Sequence, residues 1–174
     1  GGLGGAIFID SNNTADGKIV TISNSTFQDN SVTGGTVGVL ADGGGYGGGI
    51  YVDSSNSNTS SITTIVNSTF SGNTAKIHGG AIDLFGSGAF ITTLSSTTIV
   101  NNAVGDTGGG IIVHTGAFIT TLQSTIVAEN TDGDTTNGVD IFLETTGTIT
   151  NRTFNLIGTS GGHNVVDGVS DNQV

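Results

Sequence analysis

A repeated phrase is the feature that most constrains the fold of this chain. The segment Gly88–Leu94 recurs 28 positions later as Gly116–Leu122, and the same shift places Asn102 on Asn130. Self-similarity at a fixed period is the signature of a repeat architecture, in which each unit buries its apolar face against its neighbours. The repeat therefore has to be interpreted before any local motif, and it favours a chain that is built for shape.

Each unit opens with a pair of glycines that is followed by apolar residues. The pairs are Gly4-Gly5, Gly48-Gly49, Gly79-Gly80 and Gly109-Gly110, with a degenerate version at Gly138-Val139. The residue two positions beyond each pair is Ile7, Tyr51, Ile82, Ile112 and Ile141 in turn. A position that stays apolar while its neighbours vary is typical of a strand residue that points into a core.

The second half of each unit follows a stricter pattern, in which an aliphatic residue precedes Phe, Ile or Val by five positions and Asn by eight. The first four units read Ile22, Phe27, Asn30; Ile65, Phe70, Asn73; Leu94, Ile99, Asn102; and Leu122, Val127, Asn130. In the fifth unit Ile149 and Phe154 keep the pattern, and Ile157 takes the place of the asparagine. A threonine precedes each aliphatic residue, namely Thr21, Thr64, Thr93, Thr121 and Thr148.

These units predict an all-β fold. Short runs of β-branched residues, broken by Gly, Asn, Ser and Asp, indicate strands of about four to six residues, and no helical period is present. Leucine-rich and helical solenoids need helical segments, and a propeller blade needs about 40 residues and four strands. The sequence therefore predicts one domain over residues 1–174, a single-stranded parallel β-helix of about five rungs. One longer insertion falls within 31–61, and its alternative interpretation is a flexible glycine- and serine-rich excursion.

Stacked rungs give the recurring asparagines a structural role. Each amide can donate to the asparagine of one neighbouring rung and accept from the other, so that Asn30, Asn73, Asn102 and Asn130 are predicted to form a ladder. The adjacent threonine pairs would have a bend beside them, and because neighbouring strand residues face opposite ways, at most one of each pair is expected to be available to solvent. Ordinary stacking is favoured over an array that binds ice or a glycan.

Charge and composition exclude several kinds of partner. The formal charge is −11, with only Lys18, Lys76 and Arg152 as cations, which disfavours nucleic acid and anionic membranes. The chain has no cysteine, so it has neither disulfides nor thiolate metal sites. No apolar run approaches the roughly 20 residues that span a bilayer, and residues 1–3 do not resemble a signal peptide. The first residues already belong to a repeat, which indicates a processed or excised chain.

Two sets of motifs resemble known bacterial surface proteins. The pairing of Gly79-Gly80-Ala81-Ile82 with Ile99-Val100-Asn101-Asn102 resembles the repeats of polymorphic outer-membrane autotransporter passengers. The closing series is similar to that of choice-of-anchor domain proteins, and it comprises Ser124–Asn130, Gly138-Val139-Asp140, Asn155-Leu156-Ile157-Gly158 and Asp171-Asn172-Gln173-Val174. The resemblance implies a right-handed β-helix on a secreted or surface-attached bacterial protein, and it implies no reaction.

The residue types argue against an enzyme. Polysaccharide lyases need a basic catalytic residue and cations that neutralise a uronate, and hydrolases need converging carboxylates. Arg152 is the single arginine, and the glycine pairs place Val52 and Val113 on either side of Asp83. We therefore assign no catalytic and no cofactor-binding residue, although a carbohydrate-binding or polysaccharide-degrading β-helix stays the alternative. That alternative would use the surface near Asp83 and the insertion at 31–61.

Metal ligands are the remaining candidates for chemistry. The segment from 132 to 140 alternates oxygen ligands with glycine, which suits calcium, and its candidate ligands are Asp132, Asp134, Asn137 and Asp140. A solvated acidic turn is the competing interpretation. The three histidines look scattered: His78 precedes a glycine pair, His163 lies in the tail, and His114 takes Leu84 and Leu143 as its equivalents. This spacing favours a packed or half-exposed strand end for His114.

The sequence thus favours a non-enzymatic structural or adhesive solenoid that is extracellular or on the cell surface. Solenoids usually need terminal caps, and none is recognisable here, so the ends are expected to pair with further rungs or with other copies. Head-to-tail pairing of this kind generates filaments. Surface glycans are a further candidate partner.

Overall fold

The computed structural model describes residues 2–11, 16–34, 44–54, 58–133 and 140–162, and in these ranges the chain forms strands and turns without any helix. The strands are β1 (Gly2–Leu3), β2 (Ile7–Asp10), β3 (Gly17–Ser23), β4 (Thr26–Gln28), β5 (Ser31–Val32), β6 (Gly44–Tyr46), β7 (Ile50–Asp53), β8 (Ser60–Val66), β9 (Thr69–Ser71), β10 (Thr74–Ala75), β11 (Ile82–Phe85), β12 (Ala89–Ser95), β13 (Thr98–Val100), β14 (Ala103–Val104), β15 (Ile111–Val113), β16 (Phe118–Gln123), β17 (Ile126–Ala128), β18 (Ile141–Leu143), β19 (Thr148–Thr153), β20 (Leu156–Ile157) and β21 (Ser160–Gly162).

The strands coil into a parallel β-helix, which confirms the predicted fold class. Three long sheets run along the rod, in the orders β2-β7-β11-β15-β18-β21, β3-β8-β12-β16-β19 and β4-β9-β13-β17-β20. We call them the first, second and third sheet. Two short sheets, β5-β10-β14 and β1-β6, complete the described rungs. Every sheet takes one strand from each successive turn of the chain, and all its pairs are parallel.

The core consists of columns of aliphatic side chains that stack from rung to rung. In the third sheet Phe27, Phe70, Ile99, Val127 and Ile157 pair in succession. The first sheet contributes Ile7, Ile50, Ile82, Ile111 and Ile141. From Phe70 onward these side chains are inaccessible or nearly so, and the rings of Phe27 and Phe70 stack with centroids 4.5 Å apart. In-register stacking therefore buries each rung against the next.

Left-handed residues form the corners of every rung. One corner uses Asn24, Asn67, Ser96, Ser124 and Phe154, and the next uses Asp29, Gly72, Asn101 and Glu129, all with φ between 48° and 67°. Asn and Asp tolerate this conformation better than most residues do. A third corner uses Gly4, Gly47, Gly79 and Gly108. There a Cβ on Gly79 would lie 2.6 Å from the carbonyl oxygen of Ile82, so only glycine fits.

The third corner corrects the predicted glycine pairs. In the triplets Gly47–Gly49 and Gly108–Gly110 the first glycine is the left-handed one, so the pairs that match Gly79-Gly80 begin one residue earlier than predicted. Ile50 and Ile111 consequently pair with Ile82 in the core column. The placement of Tyr51 and Ile112 in that column was wrong, because a shift of one residue moves a side chain to the other face of a strand.

The predicted alignment of the fifth rung was also wrong, by three residues. Ile149 pairs with Ile119, and Ile157 pairs with Val127, so Ile157 fills the core and does not replace an asparagine. Phe154 is a corner residue that is 66% exposed. Ile149 and Phe154 have the five-residue spacing of the repeat by coincidence. Paired residues of the fourth and fifth rungs are in fact 30 positions apart in the sequence. Asn151, not Thr148, therefore continues the threonine column through its pairing with Thr121.

The threonine pairs behave differently from the prediction that at most one of each is available. Thr92 and Thr93 are both partly exposed, and so are Thr63 with Thr64 and Thr120 with Thr121. The flanking residues Ile91 and Leu94 are both inaccessible. Each long strand of the second sheet therefore bends between its two buried residues, as expected, and it turns both threonines outward.

Most of the extra residues of the first rung lie in one stretch, and three more lie between Asp53 and Ser60, whose equivalents are Phe85 and Ala89. Val32 pairs with Ala75, and Tyr46 bridges to His78. Along the chain, 13 residues separate Val32 from Tyr46, whereas only 2 separate Ala75 from His78. This stretch belongs to the predicted insertion at 31–61, and residues 35–43 lie outside the described ranges.

The asparagine ladder is confirmed. The side-chain amide of Asn30 donates to Oδ1 of Asn73, Asn73 donates to Asn102, and Asn102 donates to Asn130, each at 2.8 Å. The same oxygens also accept the backbone N–H of the preceding ladder residue at 3.0–3.1 Å. A second hydrogen of the Asn102 amide reaches the carbonyl oxygens of Phe70 and Val100. The ladder thus satisfies buried backbone groups at the corner.

We expect Asn102→Ala to lower the free energy of unfolding by about 3 kcal/mol, because it strands buried polar groups on both neighbouring rungs. Asn30→Ala, at the partly exposed first position, has a ladder partner on one side only and should cost about 1 kcal/mol. Urea unfolding followed by circular dichroism measures both variants. Equal losses would show that the ladder does not act through burial.

Candidate functional site

The outer face of the first sheet carries a buried polar cluster. Alternate residues of its strands point away from the core, and among them Tyr51, Asp83 and Ile112 form one column. These three side chains are nonetheless at most 3% exposed. The turns that precede the strands cover them, since a Cβ on Gly79 would lie 2.7 Å from the Cβ of Asp83. The three outward-facing side chains therefore lie in a corner between the strands and the turns that precede them.

Two histidines meet at Asp83. His78 lies in the turn, where it bridges to Tyr46 and to Thr107 of the adjacent rungs. His114 follows β15, and its Nε2 lies 3.2 Å from Oδ1 of Asp83. The two imidazole rings are 4.8 Å apart between centroids and meet edge to face. One donor atom from each of His78, Asp83 and His114 lies within 4.8 Å of the others.

The facing atoms of this cluster have no hydrogen-bond partner. Both carboxylate oxygens of Asp83, Nδ1 of His78 and Nε2 of His114 are buried, and none makes a hydrogen bond of acceptable geometry. The side chain of Asp83 is 0% exposed and that of His114 is 5% exposed. Unsatisfied buried polar groups cost free energy, and a carboxylate costs the most.

A carboxylate lies on the far side of each ring, and the one beside His114 is hydrogen-bonded to it. Nδ1 of His114 lies 2.8 Å from Oε1 of Glu144, while Oε2 of Glu144 accepts the backbone N–H of Thr115 at 2.8 Å. Nε2 of His78 lies 3.8 Å from Oδ2 of Asp106. In a neutral ring, a proton on Nδ1 of His114 that is shared with Glu144 leaves Nε2 unprotonated on the side of Asp83, whereas a protonated ring pairs with both carboxylates.

Burial and charge act in opposite directions on the titratable groups. Burial holds the pKa of His78 below its ordinary value in spite of the negative charge of Asp83. Burial also lowers the pKa of His114, but Asp83 and Glu144 outweigh it, and the pKa lies above its usual range. For Glu144 the desolvation is outweighed by the N–H of Thr115 and by His114, which lower its pKa. The cluster is therefore a negatively charged site that favours a cation.

Aromatic side chains enclose the cluster. Tyr46 stacks on His78 with centroids 5.4 Å apart, and Phe85 meets His114 edge to face at 5.0 Å. Tyr51 lies beside Tyr46, and burial together with the charges of Asp83 and Asp53 raises the pKa of its hydroxyl. These rings limit the access of water to Asp83 and lower the local dielectric.

The sequence-based interpretation missed this site because of the register error. Asp83 pairs with Tyr51 and Ile112, not with Val52 and Val113. His114 follows Val113, which pairs with Leu84 and Leu143, so its equivalents are Phe85 and Glu144. The prediction of a strand end equivalent to Leu84 was therefore wrong. Matching the first glycine of each triplet to Gly79 would have placed the histidine beside the aspartate.

The calcium candidates lie elsewhere in the chain. Asp140 is 2% exposed, and its Oδ1 accepts the backbone N–H and the side-chain amide of Asn130, while Oδ2 accepts the N–H of Thr159. Asp140 therefore terminates the asparagine ladder. Asp134 and Asn137 are outside the described residues, and Asp132 is partly buried. A calcium site that uses all four residues stays a prediction.

Comparisons of the chain with models of protein families, with curated proteins and with solved structures find no match. The resemblance to choice-of-anchor domain proteins and autotransporter passengers stays a prediction. In the described ranges no helix is long and apolar enough to cross a membrane.

The cost of burying Asp83 can be measured in chelator-treated protein. We expect His114→Ala to lower the free energy of unfolding by about 3 kcal/mol, because it removes the imidazole that lies 3.2 Å from the buried carboxylate of Asp83 and forms an ion pair with it. Asp83→Leu removes that charge between Tyr51 and Ile112 and should leave the stability unchanged or raise it. Urea unfolding of both variants and of their combination gives the coupling between them. A loss in Asp83→Leu as large as in His114→Ala would show that the carboxylate stabilises the fold.

Proposed function

We propose that the chain is a non-enzymatic structural β-solenoid of a secreted or surface-attached bacterial protein, and that its first described rung pairs with a further rung, either of the same protein or of another copy. The observation that carries the proposal is the open edge of this rung. In the part of the chain that the structure describes, β2, β3, β4 and β5 each have a strand partner on one side only.

The core is incomplete at the same edge. Ile7, Ile19 and Phe27 are partly exposed, whereas their partners Ile50, Ile62 and Phe70 in the second rung are inaccessible. Val20 on β3 is 64% exposed, and it belongs to the outward-facing column of Thr63, not to the core. A further rung on this edge would bury the apolar side chains and pair the free strand edges, which is the driving force of solenoid assembly.

The two ends of the asparagine ladder differ in their capacity to be extended. No described residue donates to Oδ1 of Asn30, so the ladder still offers an acceptor at the first rung. At its other end the carboxylate of Asp140 accepts three hydrogen bonds and, unlike an asparagine side chain, has no hydrogen to donate. The amide ladder can therefore be extended at Asn30 alone. An asparagine on an added rung would continue it.

The composition is compatible with an extracellular setting. A chain without cysteine has neither a disulfide to be reduced nor a thiol to be oxidised, so it suits an oxidising compartment as well as a reducing one, and its net charge of −11 opposes non-specific association of neighbouring rods. The aspartate–histidine cluster lies on the side of the rod, so it does not compete with stacking.

Sedimentation over a concentration series tests the assembly. We expect the mass-average size of the wild-type chain to rise with concentration. Val20→Lys should shift that rise to about tenfold higher concentration, because a charge beside an open strand edge opposes pairing. Ile126→Lys is the matched control, since Ile126 is 40% exposed on β17, which has strands on both sides. A monomer at every concentration, or an equal shift in the control, contradicts end-to-end stacking.

A carbohydrate-binding surface is a second candidate. Phe85, two residues beyond Asp83, is 39% exposed, and Phe8, which stacks on Tyr51 one rung further along the rod, is 42% exposed. Exposed rings next to buried polar groups are suited to sugar binding. A panel of polysaccharides, assayed for retention and for cleavage with wild type and with Phe85→Ala, distinguishes this candidate from the structural one. Retention that Phe85→Ala abolishes would favour a glycan-binding role.

A further inference from the structure

We propose that His78, Asp83 and His114 form a binding site for one divalent first-row transition-metal ion of the Zn²⁺ class. The site lies on the side of the rod, where three successive rungs meet. The inference does not depend on end-to-end stacking, because none of its residues belongs to the first rung.

The first support is that the facing atoms are free to coordinate. Asp83 is fully buried, and both of its oxygens lack a hydrogen bond, as do Nδ1 of His78 and Nε2 of His114. A folded chain seldom keeps so many converging polar atoms without partners. Two imidazole nitrogens and a carboxylate oxygen are the donor set that Zn²⁺ and its neighbours prefer.

The second support is the layer behind the ligands. The nitrogen of His114 that faces away from the cluster lies at hydrogen-bond distance, 2.8 Å, from Glu144, whereas that of His78 lies 3.8 Å from Asp106, which is an ion-pair distance only. Metal-bound histidines usually donate their other N–H to a carboxylate, which fixes the tautomer and orients the ring. The ring of His114 therefore has the arrangement of a metal ligand, and the backbone N–H of Thr115 in turn anchors Glu144.

The charge and size of the pocket also fit such an ion. Asp83, Asp106 and Glu144 bring negative charge to a corner lined by Tyr46, Tyr51 and Phe85, and a dication would offset it. Donors bound to Zn²⁺ at about 2.0–2.1 Å lie about 3.4 Å apart in a tetrahedron. The three donor atoms already lie within 4.8 Å of one another, so rotation of the side chains is enough to bring them to the separations of a tetrahedral site. Calcium and magnesium, which take oxygen ligands, are disfavoured.

Three protein ligands leave a coordination position open. Structural zinc sites usually close all four positions with protein ligands, whereas a site with three keeps room for water or a small ligand. Phe85 is 39% exposed at the rim of the cluster. The competing occupant is a proton on His114, which would pair with Asp83 without any metal.

Zinc titration of chelator-treated protein tests the site. We expect calorimetry, or competition with a chromophoric chelator, to give one Zn²⁺ per chain, and Co²⁺ to produce visible d–d absorption of low-symmetry coordination. Asp83→Asn and His114→Gln should weaken the affinity by at least about 100-fold, since each removes a ligand. Glu144→Gln keeps all three ligands and should weaken it by about 10–100-fold.

Two control variants separate this site from adventitious binding. His163→Gln removes the remaining histidine and Asp29→Asn removes an exposed acid, and both should bind Zn²⁺ as the wild type does. Circular dichroism of each metal-free variant verifies the fold. The proposal is overturned if the wild type does not bind Zn²⁺ at micromolar concentration, if His163→Gln abolishes binding, or if Asp83→Asn and Glu144→Gln bind with unchanged affinity.

Discussion

The structure depends on the hydrogen bond that joins one buried asparagine amide to the next. A rung alone cannot bury its aliphatic face, so rungs have to stack, and stacked parallel strands can slide unless something fixes their register. Asn73, Asn102 and Asn130 fix it, because each oxygen accepts both the side-chain and the backbone N–H of the preceding rung. A slip of one residue would leave buried donors and acceptors without partners. The ladder therefore locks the register of the core columns and, with it, the identity of every outward-facing neighbour.

That register also assembles the metal site. His78 comes from a turn, Asp83 from β11, His114 from the end of β15 and Glu144 from the end of β18, so four segments over three rungs contribute to one corner. Side chains at equivalent positions of adjacent rungs stand about 4.8 Å apart, which is within reach of a shared ion after small rotations. A solenoid thus needs no special loop to gather ligands. It needs two or three polar residues at equivalent or neighbouring positions of successive units, on the outer face.

The sequence predicted the fold well and the site poorly, for the same reason. The Asn30, Asn73, Asn102 and Asn130 positions recur with one residue type in one chemical role, so the rung period and the ladder follow from spacing alone. Glycine triplets carry no such marker: Gly47–Gly49 contains two pairs, and only the backbone shows that Gly47 has the positive φ. An error of one residue still gave an apolar core column, because Ile50 and Tyr51 are both hydrophobic. The apolar pattern therefore did not reveal the error. The error nevertheless placed Asp83 and His114 on opposite faces of the sheet, whereas the observed register puts them on the same face.

The buried carboxylate of Asp83 is the strongest reason to distinguish the residues that stabilise this rod from the residues that serve a binding site. The column of Asp83 continues as Tyr51 on one side and Ile112 on the other, so an aliphatic residue would suit the position and would avoid the desolvation of a charge. The ladder aspartate, Asp140, is different, because its oxygens accept three hydrogen bonds from the rungs beside it. Both aspartates are buried, yet only one is satisfied by the fold. A cation bound between His78 and His114 gives the other a partner, and it turns a destabilising residue into the ligand on which the site depends.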